Sequence, residues 1–238
     1  MKKSFSRTNF AKQNSLITVY AAARGGLEIN MTSKFIVFEG IDGAGKTTQI
    51  KLLKQSLAER GIECVTTAEP TEMPSGKKIR EALSGRVKGT CAERADMFAT
   101  DRVIHNKDKE QGIDVTLDKG LTVISDRYYY SSLAYQGAEL GFETVAKLNL
   151  ENPDIRMPDI CIFLDLSPEK SLERIGKRAD VPTEIYENYE YLEKTRKMFF
   201  DVFDRLRERG ERIEIIDASG SAEEIAASIL EKILPLFN

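Results

Sequence analysis

The chain has 238 residues, 41% of them hydrophobic, with 35 basic and 38 acidic side chains and a net charge of -3. That length suits one compact α/β domain with room for a small lid, and the composition excludes a disordered or fibrous chain. The near-balanced charge excludes a general attraction to nucleic acid or to an anionic membrane, so phosphate binding has to come from local clusters.

The N-terminal segment contains Lys2, Lys3, Arg7, Lys12 and Arg24, with no acid before Glu28. Residues 1–30 are read as a disordered leader ahead of a domain covering 31–238, with Met31 a candidate start; a basic, acid-free transit peptide is the competing reading. Phe35-Ile36-Val37-Phe38 is a short, apolar run with β-branched residues at its centre, expected to be a buried parallel strand. Ile50, Leu53 and Leu57 recur at helical spacing, and Gly61 ends that pattern as a C-cap would. A second strand is expected over Ile62–Thr67, and helices over Ile79–Leu83 and Ala92–Lys109. Leu121–Ser125 and Ile160–Leu166 read as further strands.

Ser167-Pro168-Glu169 has the chemistry of a helix start: an N-cap, a proline in the first turn and an acid near the positive helix end. A long charged helix is expected over Asn188–Arg209, a fifth strand over Ile213–Ile216, and a capping box at Ser221 and Glu224. Strand and helix alternate throughout. The expected fold is a P-loop-type three-layer α/β sandwich, a mostly parallel five-stranded sheet with helices on both faces. Cys64, Cys91 and Cys161 form no CxxC pair and read as core filler in a reducing cytoplasm, not as a zinc or disulfide framework. No apolar run approaches the ~20 residues that span a bilayer.

In sheets of this kind ligands bind beyond the C-terminal strand ends. After the first strand comes Gly40-Ile41-Asp42-Gly43-Ala44-Gly45-Lys46-Thr47-Thr48, which fits the spacing GxxxxGK[ST]. Its glycines let successive N–H groups turn inward on phosphate oxygens, and the following helix adds its positive end. Lys46 can reach the β- and γ-phosphates of ATP, and the Thr47 hydroxyl can hold Mg²⁺. Asp126 closes the third strand where the P-loop fold places its second magnesium-side acid, and Arg127 next to it can grip a phosphate bidentately. Arg174 and Arg178 are four residues apart and share a helix face beside Lys177. A lid over about 174–186 carrying them could close over the triphosphate, with Arg178 as a catalytic cation. Tyr128, Tyr129, Tyr130, Ser131, Ser132, Tyr135 and Gln136 cluster after Asp126, where aromatic faces can wall a base and Ser or Gln can read its edges. His105, the one histidine, reads as structural.

The stretches FEGIDGAGKTT, AEP followed by SGKKIR, FATDR, ISDRYYYSSLAYQG, and FLDLSPEKSLERIGKR followed by ENYEYLEKTR together resemble the thymidylate kinase family, from about Phe35 to the final helix. The resemblance implies ATP- and Mg²⁺-dependent phosphorylation of dTMP to dTDP, feeding dTTP synthesis, in a cytoplasmic homodimer. By matched position it implies that Asp42 lies near the transferring phosphate, and that Arg80 and Arg127 hold the dTMP phosphate. It implies that Phe98 stacks on the thymine and that Arg102 meets the base edge. It further implies that Tyr135 lies against the deoxyribose and that Glu69, Ser131, Ser132 and Gln136 complete the pocket. By the same matching Arg174 would flank the adenine, with Ala218 near its other side, and Glu187 matches the acid that opens the helix after the lid. Departures are Ala68 where many bacterial members have arginine, Gly43 where some eukaryotic members do, and Gly176 and Thr183 in the lid. Other expectations are a kinase for another pyrimidine nucleotide or a deoxynucleoside, and a P-loop protein that holds nucleotide without transfer.

Overall fold

The computed structural model describes residues 33–176 and 189–238. Its strands are β1 (Phe35–Glu39), β2 (Cys64–Ala68), β3 (Thr122–Asp126), β4 (Ile160–Asp165) and β5 (Ile213–Asp217). They form one sheet in the order β2-β3-β1-β4-β5, every neighbouring pair parallel. The helices are α1 (Lys46–Ala58), α2 (Pro74–Leu83), α3 (Cys91–Lys107), α4 (Ile113–Asp118), α5 (Tyr129–Tyr135), α6 (Gly137–Leu140), α7 (Phe142–Asn149), α8 (Pro168–Gly176), α9 (Tyr189–Glu208) and α10 (Ala222–Ile233), with a 3₁₀ turn over Leu234–Phe237.

Every residue of β1 is buried, and alternate side chains serve two different cores. Phe35 and Val37 join Val123, Cys161 and Phe163 against Phe199 and Phe203 of α9 and the tyrosines of α5. Ile36 and Phe38 join Ile124, Ile162 and Leu164 against Leu53 and Leu57 of α1 and Ile225 and Ile229 of α10. A strand covered on both faces has no polar side to show, which is why it reads as a continuous apolar run. Each fully buried side chain of this size contributes about 1.5–3 kcal/mol.

Local signals act where expected. Gly61 takes φ 77° and ends α1, with Gly61 N–H donating to Ala58 O and Ile62 N–H to Leu57 O, both at 3.0 Å. Ser221 and Glu224 form the reciprocal cap of α10, and Thr90 and Glu93 form a second such box on α3. Sequence reasoning did not anticipate α4, α5, α6 and α7. They are short, and α5 is buried nearly all round, so no amphipathic stripe marks it. The leader 1–30, Lys177, Arg178, Glu187 and most of the lid lie outside the described residues.

Candidate active site

Because β1 and β3 are parallel neighbours with Phe38 opposite Asp126, the loop after each opens at the same sheet edge. The first of these loops curls through Gly40 (φ 149°), Gly43 (φ 82°) and Gly45 (φ 98°), the last being the N-cap of α1. A Cβ on Gly43 would lie 2.8 Å from Ser171 O, so the loop fits under α8 only with glycine there. Ser171 also donates its hydroxyl to Asp42 O, tying α8 to the loop. Gly40, Ile41 and Ala44 are buried and shape the loop from behind, while Thr47 and Thr48 stand exposed at the start of α1.

Lys46 Nζ donates to Gly40 O at 3.0 Å and lies 4.0 Å from Asp42 Oδ1. Burial pushes its pKa down, Arg127 adds to that, and Asp126, Asp42 and Glu39 oppose it. Arg127 stands at φ 70°, the left-handed region that a non-glycine residue enters at a cost of about 1–3 kcal/mol and that clusters at functional sites. Its Nη2 donates to Asp42 Oδ1 at 2.5 Å and its Nη1 to Ser131 Oγ at 3.0 Å. Burial works against its charge, and Tyr135, Asp42, Glu39 and Asp126 more than offset it, so its pKa is raised.

Two cavities meet at this point. The smaller, about 240 Å³, lies over the loop and is lined by Gly43, Gly45, Lys46, Thr47, Ala68 and Asp126. The larger, about 540 Å³, is lined by Phe98, Arg102, Ser131, Ser132, Tyr135 and Gln136, together with Leu83, Cys91, Arg94 and residues of α9 including Lys194 and Met198. Asp42, Glu69 and Arg127 line both. Burial pushes the Tyr135 hydroxyl up to about 12 against the opposing Arg127, so it stays protonated. The Oε1 of Gln136 is buried with no hydrogen-bond partner among the described residues, an acceptor that a bound donor would satisfy.

Arg102 is 1% exposed and held on three sides. Its Nε and Nη2 pair with Glu69 Oε2 at 2.8 and 2.6 Å, Nη2 also reaches Ser132 Oγ at 3.3 Å, and Nη1 donates to Asn149 Oδ1. Glu69 Oε1 lies 3.0 Å from His105 Nδ1, and His105 Nε2 lies 2.7 Å from Thr67 Oγ1, so the histidine serves as a structural brace for Glu69. Asp101 accepts from the Thr71 amide, the Thr71 hydroxyl and Ser75, fastening the loop after β2 to α3.

Arg80 behaves differently from Arg127. It lines neither cavity; its Nη1 donates to Pro70 O and Thr71 O at 3.0 and 2.7 Å, and it pairs with Glu72. Arg174 lies against the loop, 2.9 Å from Ala218 O and 3.4 Å from Ala44 O, so the two residues expected around an adenine are in direct contact. Tyr128, Tyr129 and Tyr130 are at most 1% exposed and belong to the core. Tyr129 and Tyr130 donate to Glu211 at 2.8 and 2.6 Å, and Tyr128 to Arg156 O. Sequence reasoning gave no role to Glu39, Asp101 or Asn149. Asn149 had no local signal; Glu39 stands within FEGIDGAGKTT, directly before the phosphate loop, and Asp101 within FATDR, next to Arg102, the pointers that could have found them.

Thr47 and Asp126 share the smaller cavity, and both offer oxygen. That donor set suits a hard cation that takes most of its shell from phosphates and water. Among the described residues no cluster of three or more His, Cys, Asp or Glu could hold a metal without such help.

A strand-to-helix phosphate loop with a lysine, a facing carboxylate–arginine pair and an adjoining second cavity define a P-loop phosphotransferase acting on a small acceptor. The thymidylate kinase family model matches residues 38–229. The thymidylate kinase of Leptospira borgpetersenii serovar Hardjo-bovis is 38% identical over 205 residues, covering 86% of this chain and 95% of that one. The probable thymidylate kinase of Methanococcus aeolicus is 39% identical over 207 residues, covering 85% and 96%. That of Thermococcus kodakarensis is 39% identical over 204 residues, covering 82% and 95%. The chain belongs to the thymidylate kinase family.

Proposed function

We infer that the smaller cavity takes the triphosphate of ATP and the larger takes dTMP, in a chain whose activity is the ATP-dependent phosphorylation of dTMP to dTDP. The observation that carries the assignment is the shared wall: Arg127 and Asp42 line both cavities, so an acceptor phosphate held by Arg127 would sit beside the donor's γ-phosphate.

In the reaction a phosphate oxygen of dTMP attacks the γ-phosphorus, the bond to the β–γ bridging oxygen breaks, and ADP leaves with that electron pair. The attacking oxygen is already ionised, so the chain's task is to bring two anions together and hold charge in place. Lys46 and the inward N–H groups of the loop would hold the donor phosphates, and Arg127 the acceptor phosphate. Arg102, braced by Glu69, and Phe98 would grip the base, with Ser131, Ser132, Tyr135 and Gln136 around the sugar and the remaining base edge. Arg80 would add to the acceptor phosphate site after leaving Glu72. Arg174 would flank the adenine beside Ala218, and Arg178 would serve the transferring group. Thr47 and Asp126 would hold Mg²⁺, which when bound would supply neutralisation of the phosphate charge.

A homodimer is proposed from the family resemblance, and Val65 and Ile104 are exposed apolar residues on adjoining elements that a partner could cover. A cytoplasmic location is proposed from the free Cys64, Cys91 and Cys161. Among the described residues no helix is long and apolar enough to cross a membrane. A panel of nucleosides and nucleoside monophosphates scored by ADP release tests the assignment. Preferred turnover of dTMP is expected; preference for an unphosphorylated nucleoside, or ATP binding without any turnover, would overturn it.

A further inference from the structure

Glu39 is the last residue of β1, directly before the phosphate loop, and its side chain is completely buried. A carboxylate there is costly unless its oxygens are satisfied. Three donors converge on it from one turn. Tyr128 N–H and Ser131 N–H donate to Oε1 at 2.9 and 3.1 Å, and the Ser131 hydroxyl donates to Oε2 at 2.7 Å. Tyr128 is the N-cap of α5 and makes no side-chain cap of its own, so Glu39 caps that helix from another strand. Arg127 Nη1 stands 3.9 Å from Oε2 and donates to the same Ser131 hydroxyl.

The result is a relay: Arg127 donates to Ser131, and Ser131 donates to Glu39. On its other side Arg127 is held by Asp42 of the phosphate loop. The left-handed turn at Arg127 needs such support. Its N–H donates to Phe38 O at 2.9 Å and its carbonyl accepts from Ser125 Oγ at 2.8 Å, so β1 and Glu39 grip residues 127 and 128 in succession.

We propose that Glu39 is a positioning residue for phosphoryl transfer: through Ser131 and the 127–128 turn it sets the Arg127 guanidinium at the boundary of the two cavities, a role that rests on the larger cavity being the dTMP site. Glu39 reaches no substrate itself. It acts by making the strand that delivers the phosphate loop also the support for the arginine across the cleft, so donor and acceptor grips share one rigid origin.

The test compares wild type, E39Q, S131A and the double variant. The E39Q amide can still accept both N–H groups at its oxygen, but its nitrogen meets the Ser131 hydroxyl as a donor and breaks the relay's direction. Steady-state kinetics would give kcat and KM for each substrate, and calorimetry would give binding of dTMP and of a non-hydrolysable ATP analogue. E39Q is expected to lower kcat/KM for dTMP by about 10²-fold, the loss typical of a misplaced reacting group, and to weaken dTMP binding. Affinity for the ATP analogue should stay within about twofold. S131A should cost at least that factor, since Ser131 also lines the larger cavity, and the double variant little more than S131A, because Glu39 acts on Arg127 through Ser131. Unchanged kcat/KM in E39Q, equal loss of both ligands, or additive effects would overturn the proposal, the second pointing to a purely structural cap. If E39Q does not fold, S131A decides alone, and wild-type kinetics in it would overturn the relay. Wild-type protein inert toward dTMP would instead sink the acceptor assignment, an outcome separate from an active wild type with an indifferent E39Q.

Discussion

Glu69→Ala strands a buried charge, and its consequences follow from the geometry. Glu69 and Arg102 are 3% and 1% exposed at their side chains, with N–O distances of 2.6 and 2.8 Å. Removing one partner of such a pair leaves the other desolvated and uncompensated, which costs about 3–5 kcal/mol. In a chain of this length each kcal/mol lowers Tm by about 2–4 °C, so a fall of about 6–20 °C is expected. The His105 brace is released as well, since its Nδ1 faces the same carboxylate. Thermal unfolding by circular dichroism, with urea denaturation alongside, measures the loss. The informative comparison is E69A/R102M, which removes the charge together with its partner and fills the site with an apolar chain. That double variant should be more stable than E69A, although its dTMP turnover should be poor. If E69A lies within about 1 kcal/mol of wild type, or the double variant is the less stable of the two, the pair does not behave as a desolvated ion pair and the reasoning fails.

Lys46→Ala should lower kcat by about 10²-fold or more while leaving the circular dichroism spectrum unchanged, because the lost group contributes charge to the phosphate site and not core packing; near-normal ADP release would contradict it. Tyr135→Ala should erode the preference for dTMP over UMP, and an unaltered ratio of the two turnovers would count against contact with the deoxyribose. Burial raises the pKa of Glu211, with Tyr130, Tyr129 and Arg209 opposing. Since the folded value stands above the unfolded one, the folded chain holds that proton more tightly, and stability falls as pH rises from the ordinary carboxylate range through the raised value. E211Q should therefore gain on wild type as denaturation is repeated from pH 5 to pH 8, whereas a constant gap between them would show that Glu211 does not titrate in that way.

Much of the site was legible along the chain because its chemistry is local. A phosphate loop needs its glycines, lysine and hydroxyl within a few residues of one another, so Gly40 to Thr47 is visible as a string. The same holds for Asp126-Arg127 and for Phe98 and Arg102, which occupy one stretch of helix. The tyrosine run shows the limit of such reading. Tyr128, Tyr129 and Tyr130 occupy adjacent positions with Tyr135 close by, yet the first three are buried, Tyr128 at the inner wall of the larger cavity, and only Tyr135 is partly exposed there. The rotation of α5 against α9 decides which is which, and nothing in the run itself encodes that rotation.

By itself the order of residues determined the parallel α/β class, the glycine-rich loop with its lysine and the kind of reaction, since strand periodicity and phosphate chemistry both operate over short spans. Tertiary structure alone decided that Glu39 supports the Arg127 turn 88 residues later, that Asn149 and Glu69 immobilise Arg102, and that Arg80 rests on Glu72 outside both cavities. A buried carboxylate at a strand end carries no mark of its partners. They are fixed only when parallel pairing of β1 with β3 brings their C-terminal ends together and desolvation forces both oxygens of Glu39 to find donors.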